Sequence, residues 1–303
     1  MADGSNTPVG SILEEQKAPP LVSGLSAFAD DYDVILCDIW GVVHNGVAAF
    51  PAACTALRNA RDIGKRVVLV SNAPRPNSSV ATILDGLGAP RSTYDAIVTS
   101  GDVTRTLLAE QPAIKVFHLG PERDLPLFDT LDLKRVPLEH AQMVVCTGLF
   151  DDTVETADDY AEMLAAMKAR DLPFICANPD IVVERGAQLI YCAGAIAIAY
   201  EALGGEVTYC GKPHLPIYDV ALRTAARLRD APVDKTRVLG IGDALRTDIL
   251  GASRAGFDSL FIAAGIHAGE LNADDQTPPD DEALKGLFAG QPQPRGVMSR
   301  LSW

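Results

Sequence analysis

The sequence predicts an α/β protein built on a mostly parallel sheet, and three observations carry that prediction. Short runs of β-branched and apolar residues alternate with stretches of helical periodicity along most of the chain. Several of the runs are apolar throughout, which suits strands buried on both faces rather than strands with one wet face. The same runs end on polar residues, and open α/β sheets bind their ligands at the carboxyl ends of such strands.

Residues 1–25 are polar and proline-bearing and read as a flexible N-terminal arm. Val34-Ile35-Leu36-Cys37 reads as a strand running into Asp38, followed by Gly41 in a turn and His44-Asn45-Gly46 in a loop. Val67-Val68-Leu69-Val70 reads as the next, running into Ser71-Asn72-Ala73-Pro74. A middle block, 104–208, has strand candidates of its own in Val116–Leu119, Met143–Cys146 and Phe174–Ala177. Between the last two, Tyr160, Met163, Leu164 and Met167 fall at i, i+3, i+4 and i+7, a helical stripe that packs a core. The block reads as an inserted cap domain, with residues 26–103 and 209–290 as the two halves of the first domain. After it come Gly211-Lys212-Pro213-His214, a helix starting near Pro216, and the strand Val238–Ile241 running into Gly242-Asp243, with a helix beginning near Thr247. Residues 291–303, opening on Gln291-Pro292-Gln293-Pro294, read as an extended tail whose Leu301-Ser302-Trp303 packs back on the core.

Composition narrows the functional classes. With 48% apolar and 22% charged residues, the 303-residue chain is too apolar for disorder. A net charge of −14 sets it against nucleic-acid backbones and anionic membranes, so an anionic substrate has to be drawn in by a local site rather than by the global field. Six cysteines without a CxxC pair read as buried thiols in a reducing compartment. The first twenty residues have no basic segment leading into an apolar one, and the most apolar later stretch, Ala193 to Tyr200, stops at Glu201. The expectation is a soluble cytoplasmic protein with no membrane span.

The polar strand ends carry the chemistry. An aspartate on a rigid strand end, as Asp38 is, either caps the following turn or presents a carboxylate able to attack a phosphoryl group. Asp243 and Asp248 lie five residues apart across a glycine-bearing strand-to-helix turn. If both face Asp38, three like charges meet, which disfavours their joint ionisation unless a cation intervenes; Mg²⁺, with its preference for oxygen ligands, suits the place. Lys212 is either a surface-turn lysine or the ammonium that leaves such a cluster able to accept an anionic substrate. Ser71 and the backbone around Asn72 offer donors suited to phosphate oxygens. Asn178-Pro179-Asp180 is either an ordinary Asx turn or a loop facing the crevice from above.

In chain order, Asp38-Ile39-Trp40-Gly41-Val42-Val43, Ser71-Asn72-Ala73, Gly211-Lys212-Pro213, and Gly242-Asp243 with Thr247-Asp248 resemble the four motifs of the haloacid dehalogenase superfamily of aspartate-nucleophile hydrolases. The large insert between the second and third motifs looks like the class II, subtype A branch of nagD-type, nitrophenyl and phosphoglycolate phosphatases. The resemblance, over residues 28–270, implies a Rossmann-like core with an α/β cap over the strand ends. It implies a Mg²⁺-dependent phosphatase acting through an aspartyl-phosphate on Asp38. Asp38, the carbonyl of Trp40, Asp243 and Asp248 would hold the metal. Ser71, Asn72, Ala73 and Lys212 would bind the phosphoryl group. Asn178 and Asp180, with Gly148 to Asp152, would belong to the cap loops that meet the substrate, a sugar phosphate, nucleotide or phosphoglycolate-like metabolite. Homodimerisation is a further expectation of the resemblance.

One residue departs from the pattern. Phosphatases of this family carry a second aspartate two residues after the nucleophile, as general acid and base, and here that position is Trp40. Indole is at best a hydrogen-bond donor. His44 is a possible substitute, its ordinary pKa near ~6.5 suiting the task. The departure leaves two other readings: a protein that binds a phosphorylated ligand without turning it over, and, from the aromatic residue in this position, carbon–halogen chemistry.

Overall fold

The computed structural model describes residues 17–185, 188–274 and 277–303. The apolar runs form a first sheet of strands β1 (Val34–Cys37), β2 (Arg66–Ser71) and β3 (Ala96–Thr99), and, after the second sheet, β11 (Val238–Gly242), β12 (Asp258–Ile262) and β13 (Gly296–Met298). Their order is β13-β12-β11-β1-β2-β3. Every pairing is parallel. The chain therefore runs outward from β1 on one side and from β11 on the other, and the crevice where the order reverses opens at the carboxyl ends of these two neighbours.

Alternating side chains of β1 explain why the run is apolar throughout. Ile35 and Cys37 pack with Ala53, Ala56, Leu57 and Ala60 of α1 (Pro51–Asp62) and Val80 and Leu84 of α2 (Asn77–Gly86). Val34 and Leu36 pack on the opposite face with Val103 and Leu108 of α3 (Ser100–Ala109).

The second sheet is formed by β4 (Ile114–Leu119), β5 (Leu133–Arg135), β6 (Met143–Cys146), β7 (Phe174–Cys176) and β10 (Val207–Tyr209), in the order β10-β7-β6-β4-β5. One face is covered by α4 (Ala161–Lys168) and α5 (Ala193–Ala202), where Leu164, Met167, Ile196 and Tyr200 close a core and Tyr200 stacks on Phe174. On its other face Val116, Val145 and Ile175 join the same buried apolar cluster as Val68, Val70 and Val98 of the first sheet. That cluster also takes in Ile217, Tyr218 and Ala221 of α6 (Leu215–Arg229) and Ala252 of α7 (Leu250–Ala255). An antiparallel hairpin of β8 (Val182–Arg185) and β9 (Gln188–Tyr191) leads from the Asn178-Pro179-Asp180 loop to α5.

Four sequence expectations need correction. Residues 291–303 are not an extended tail: β13 pairs with β12, and Val297, Met298 and Leu301 are buried. Three apolar residues in this stretch are enough to continue a parallel sheet once a neighbouring edge is free. Trp303 is 36% exposed, so Leu301 is the residue that packs back. The described part of the N-terminal arm is also tied down, since the Val22 N–H donates to the Val297 carbonyl at 2.9 Å and Leu25 is fully buried. Residues 1–16 lie outside the described part. The expected helix near Thr247 starts earlier, as one wide π turn over Leu245–Ile249 that continues into α7. All six cysteines are buried and none is in a disulfide, and no described helix is long and apolar enough to cross a membrane.

Candidate active site

The carboxyl ends of β1, β2 and β11, with the loop before α6, bring polar side chains into one cleft. Asp38, Ser71, Asn72, Lys212, Asp243 and Asp248 all line it and are all less than a tenth exposed. Asp38 follows β1 directly, its N–H donating to the Ile241 carbonyl at 2.8 Å, so the neighbouring strand holds its backbone. Carboxylate oxygens of Asp38, Asp243 and Asp248 lie within 4.8 Å of one another. The Lys212 ammonium donates to Asp38 Oδ1 and, at 2.7 Å, to Asp248 Oδ1. The Ile266 N–H donates to Asp243 Oδ2 at 2.8 Å.

Glycine is required where backbone meets this cluster. Gly41 has φ +82°, and a Cβ there would stand 2.0 Å from Asp243 Oδ2. A Cβ on Gly265 would stand 2.1 Å from the same oxygen.

The electrostatics follow from burying three acids around one base. Burial pushes the Asp38 carboxyl up to about 7, Asp248 adding to the rise and Lys212 opposing it. Burial, then the charges of Asp38 and Asp248, hold Asp243 well above the usual carboxylate range. Burial alone would depress the Lys212 ammonium, but Asp248 and Asp38 outweigh it and keep the lysine charged. With Asp38, Asp243 and Asp248 as oxygen donors and a single ammonium among them, the donor set fits a hard divalent cation.

Asn72 ties the cleft together. Its Oδ1 accepts from the Lys212 N–H at 2.7 Å, while its Nδ2 donates to the Lys212 carbonyl at 3.1 Å and to Asp180 Oδ1 at 2.8 Å. One carboxamide at the end of β2 thus joins the loop before α6 to the loop after β7. Asp180 lines the cleft beside Asp38, and its N–H donates to Asn178 Oδ1 at 3.1 Å, so the Asx turn and the crevice-facing loop are one feature.

The other candidates fall elsewhere. Asn178, Ala73, Gly148, Leu149 and Asp152 line an adjoining cavity. The Ala73 N–H donates to Ser71 Oγ at 3.2 Å. Trp40 lines both cavities, its ring meeting His44 edge to face at 5.0 Å. His44 is buried behind it; Nδ1 accepts from the Gly46 N–H at 2.9 Å, and burial lowers the ring's pKa to about 4. Sequence reasoning missed Arg300, which reaches the cleft from just after β13, donates to the Gly41 carbonyl at 3.2 Å and lies over the Phe50 ring. It also missed Val182 and Val183 of β8.

Comparison with known proteins places the chain in a family. Residues 35–134 match the family described as Haloacid dehalogenase-like hydrolase, and residues 209–287 match HAD-like hydrolases. A haloacid dehalogenase-like hydrolase from Brucella suis 1330 is 47% identical, covers 93% of this chain and 100% of its own, and superposes with a TM-score of 0.83. The chain belongs to the haloacid dehalogenase-like hydrolases. Two of its curated relatives are named as phosphatases. The D-glycerol 3-phosphate phosphatase of Mycobacterium tuberculosis is 31% identical over 80% of this chain and 66% of its own. The ribonucleotide monophosphatase NagD of Escherichia coli K12 is 26% identical over 77% of this chain and 88% of its own. With the second sheet inserted between the second and third haloacid dehalogenase motifs, the chain is of the NagD-like class II, subtype A kind.

Proposed function

We propose that this enzyme is a Mg²⁺-dependent phosphomonoesterase acting on a small phosphorylated metabolite, with transfer of the phosphoryl group to Asp38. The observation that carries this reading is Lys212 donating to both Asp38 and Asp248 at the switch point of the sheet, with Asp243 beside them and Ser71 and Asn72 lining the same cleft. Asp38, Asp243 and Asp248, with the Trp40 carbonyl, would hold the metal. When bound, Mg²⁺ would neutralise the carboxylates and the oxygens of the transferring group.

The chain's own groups then divide the work. An Asp38 oxygen attacks phosphorus in line with the departing oxygen, and water later cleaves the aspartyl-phosphate. Lys212 supplies positive charge at the attacking carboxylate, and Ser71 and the backbone near Asn72 donate to the phosphoryl oxygens. Positioning and charge stabilisation dominate such transfers, which is why buried, pre-paired groups support the reading. Relatives named for glycerol phosphate and ribonucleotides favour a small metabolite over a macromolecule.

Trp40 favours a second reading, capture of a phosphorylated ligand without turnover. Hydrolysis of p-nitrophenyl phosphate with Mg²⁺ separates the two. The phosphatase should release nitrophenolate and lose that activity in EDTA and in Asp38→Asn. A protein that turns over no phosphoester, yet gains thermal stability from Mg²⁺ and phosphate together, would be the binding protein.

A further inference from the structure

An alcohol leaving phosphorus departs as an alkoxide unless a proton reaches it, so turnover of alkyl esters calls for a proton donor at the bridging oxygen. The cleft shows where that oxygen must lie. One cavity surrounds Asp38 and Lys212, and a second, between Ile83, Leu149 and Tyr191, has room for an organic group. Among the described residues, Trp40, Ser71, Asp180 and Val183 line both. An ester with phosphorus against Asp38 and its alcohol in the second cavity therefore places the bridging oxygen beside these four. Indole and valine transfer no proton at neutral pH, and a serine hydroxyl is too weak an acid. Only a carboxyl remains.

We infer that Asp180, carried into the cleft by the loop after β7, is the general acid and base of this reaction. The inference rests on the phosphatase reading given above. Asp180 is held as such a group must be: Asn72 donates to its Oδ1 at 2.8 Å, and its carbonyl accepts from the Gly194 N–H at 3.1 Å. A Cβ on Gly194 would stand 2.5 Å from that carbonyl oxygen, so α5 presses directly on the loop. Burial raises the carboxyl above its ordinary value, with Lys212 and Asn72 opposing and Asp248 assisting, the direction a proton donor needs. His44 lines only the second cavity, and its lowered pKa makes it a poor donor.

In the first step the Asp38–phosphorus bond forms, the bond from phosphorus to the bridging oxygen breaks, and the Asp180 proton goes to that oxygen. In the second, the Asp180 carboxylate takes a proton from the attacking water. The new phosphorus–oxygen bond forms as the Asp38–phosphorus bond breaks, which regenerates both carboxyl groups and releases inorganic phosphate.

The test compares p-nitrophenyl phosphate, whose leaving group needs no proton, with glycerol phosphate, whose leaving group does. Asp180→Asn should lose about 10²–10³-fold in kcat/KM on glycerol phosphate, within the range of general acid catalysis. With p-nitrophenyl phosphate it should show a burst of one nitrophenolate per enzyme and then slow turnover, because the phosphoenzyme has lost its base. Adding Trp40→Asp to Asp180→Asn should restore glycerol phosphate turnover. Should Asp180→Asn fail to fold, Asp180→Glu carries the same comparison, with the larger loss expected on glycerol phosphate. Equal losses on both esters without a burst would overturn the inference and leave Asp180 as the anchor of Asn72. Failure of the wild type on both esters would instead overturn the phosphatase reading, and the inference with it.

Discussion

Replacing Asn72 by alanine tests whether one carboxamide joins the two halves of the cleft. Asn72 is 4% exposed and makes three hydrogen bonds, accepting from the Lys212 N–H and donating to the Lys212 carbonyl and to Asp180 Oδ1. Alanine removes all three and leaves their partners behind. A buried group left unpaired costs roughly 1–3 kcal/mol. The Lys212 N–H carries that cost in full, while the carbonyl and the Asp180 carboxylate can turn in part to cleft water, for a total of about 2–4 kcal/mol. At roughly 2–3 °C per kcal/mol for a chain this long, Tm should fall by about 4–12 °C. Thermal unfolding in EDTA, followed by circular dichroism, reads this without any contribution from metal binding. Asn72→Asp should also destabilise, and more so as pH rises, because a second carboxylate then faces Asp180. An Asn72→Ala protein melting within about 1 °C of the wild type would refute the argument that this side chain fastens the loops.

Three further outcomes follow from the same geometry. Asp38 has a folded-state pKa raised to about 7 from an ordinary 3.8, so its contribution to stability is fully present below pH 3.8 and is lost as pH rises through about 7. The metal-free protein should therefore lose Tm across that window, with a smaller loss in Asp38→Asn; equal slopes in the two proteins would contradict the assignment. Gly265→Ala would drive a Cβ into Asp243 Oδ2, so the Mg²⁺ concentration needed for half-maximal activity should rise by about 10–100-fold with the fold kept, and an unchanged requirement would argue against Asp243 as a ligand. Ending the chain after Arg295 uncovers the edge of β12 and removes the buried Val297, Met298 and Leu301. At about 1.5–3 kcal/mol for each side chain this consumes most of an ordinary stability margin, and a soluble, cooperatively melting truncation would show the strand to be dispensable.

What was legible in the sequence were the strands buried on both faces and the residues at their ends, because that burial writes itself as an unbroken apolar run. Asp38, Ser71, Asn72 and Asp243 were all reached in this way, Asp248 by its spacing across the turn after Asp243, and Lys212 by its order among them. The short strand Gly296–Met298 was not, since three residues among prolines and serines show no periodicity, and with it went Arg300. The β8–β9 hairpin escaped because its two strands are only four residues each, too short to show a period. The Asn72–Asp180 hydrogen bond joins residues 108 apart, a pairing that no local pattern encodes. The π turn at Leu245–Ile249 was misplaced because its residues have ordinary helical composition.

The apolar cluster shared by the two sheets bears on how modular this architecture is. Val116, Val145 and Ile175 lie in the same buried mass as Val68, Val70 and Val98, so the second sheet cannot swing wholly away without wetting hydrocarbon. A chimera that received this sheet from a relative would first have to solve a packing problem against strands it did not bring along. The β8–β9 hairpin, which adds Val182 and Val183 to the cleft wall and pairs only with itself, poses a smaller packing problem, centred on the buried Ile190. In this chain the hairpin is therefore easier to exchange than the larger insert, whose apolar face is shared with the core.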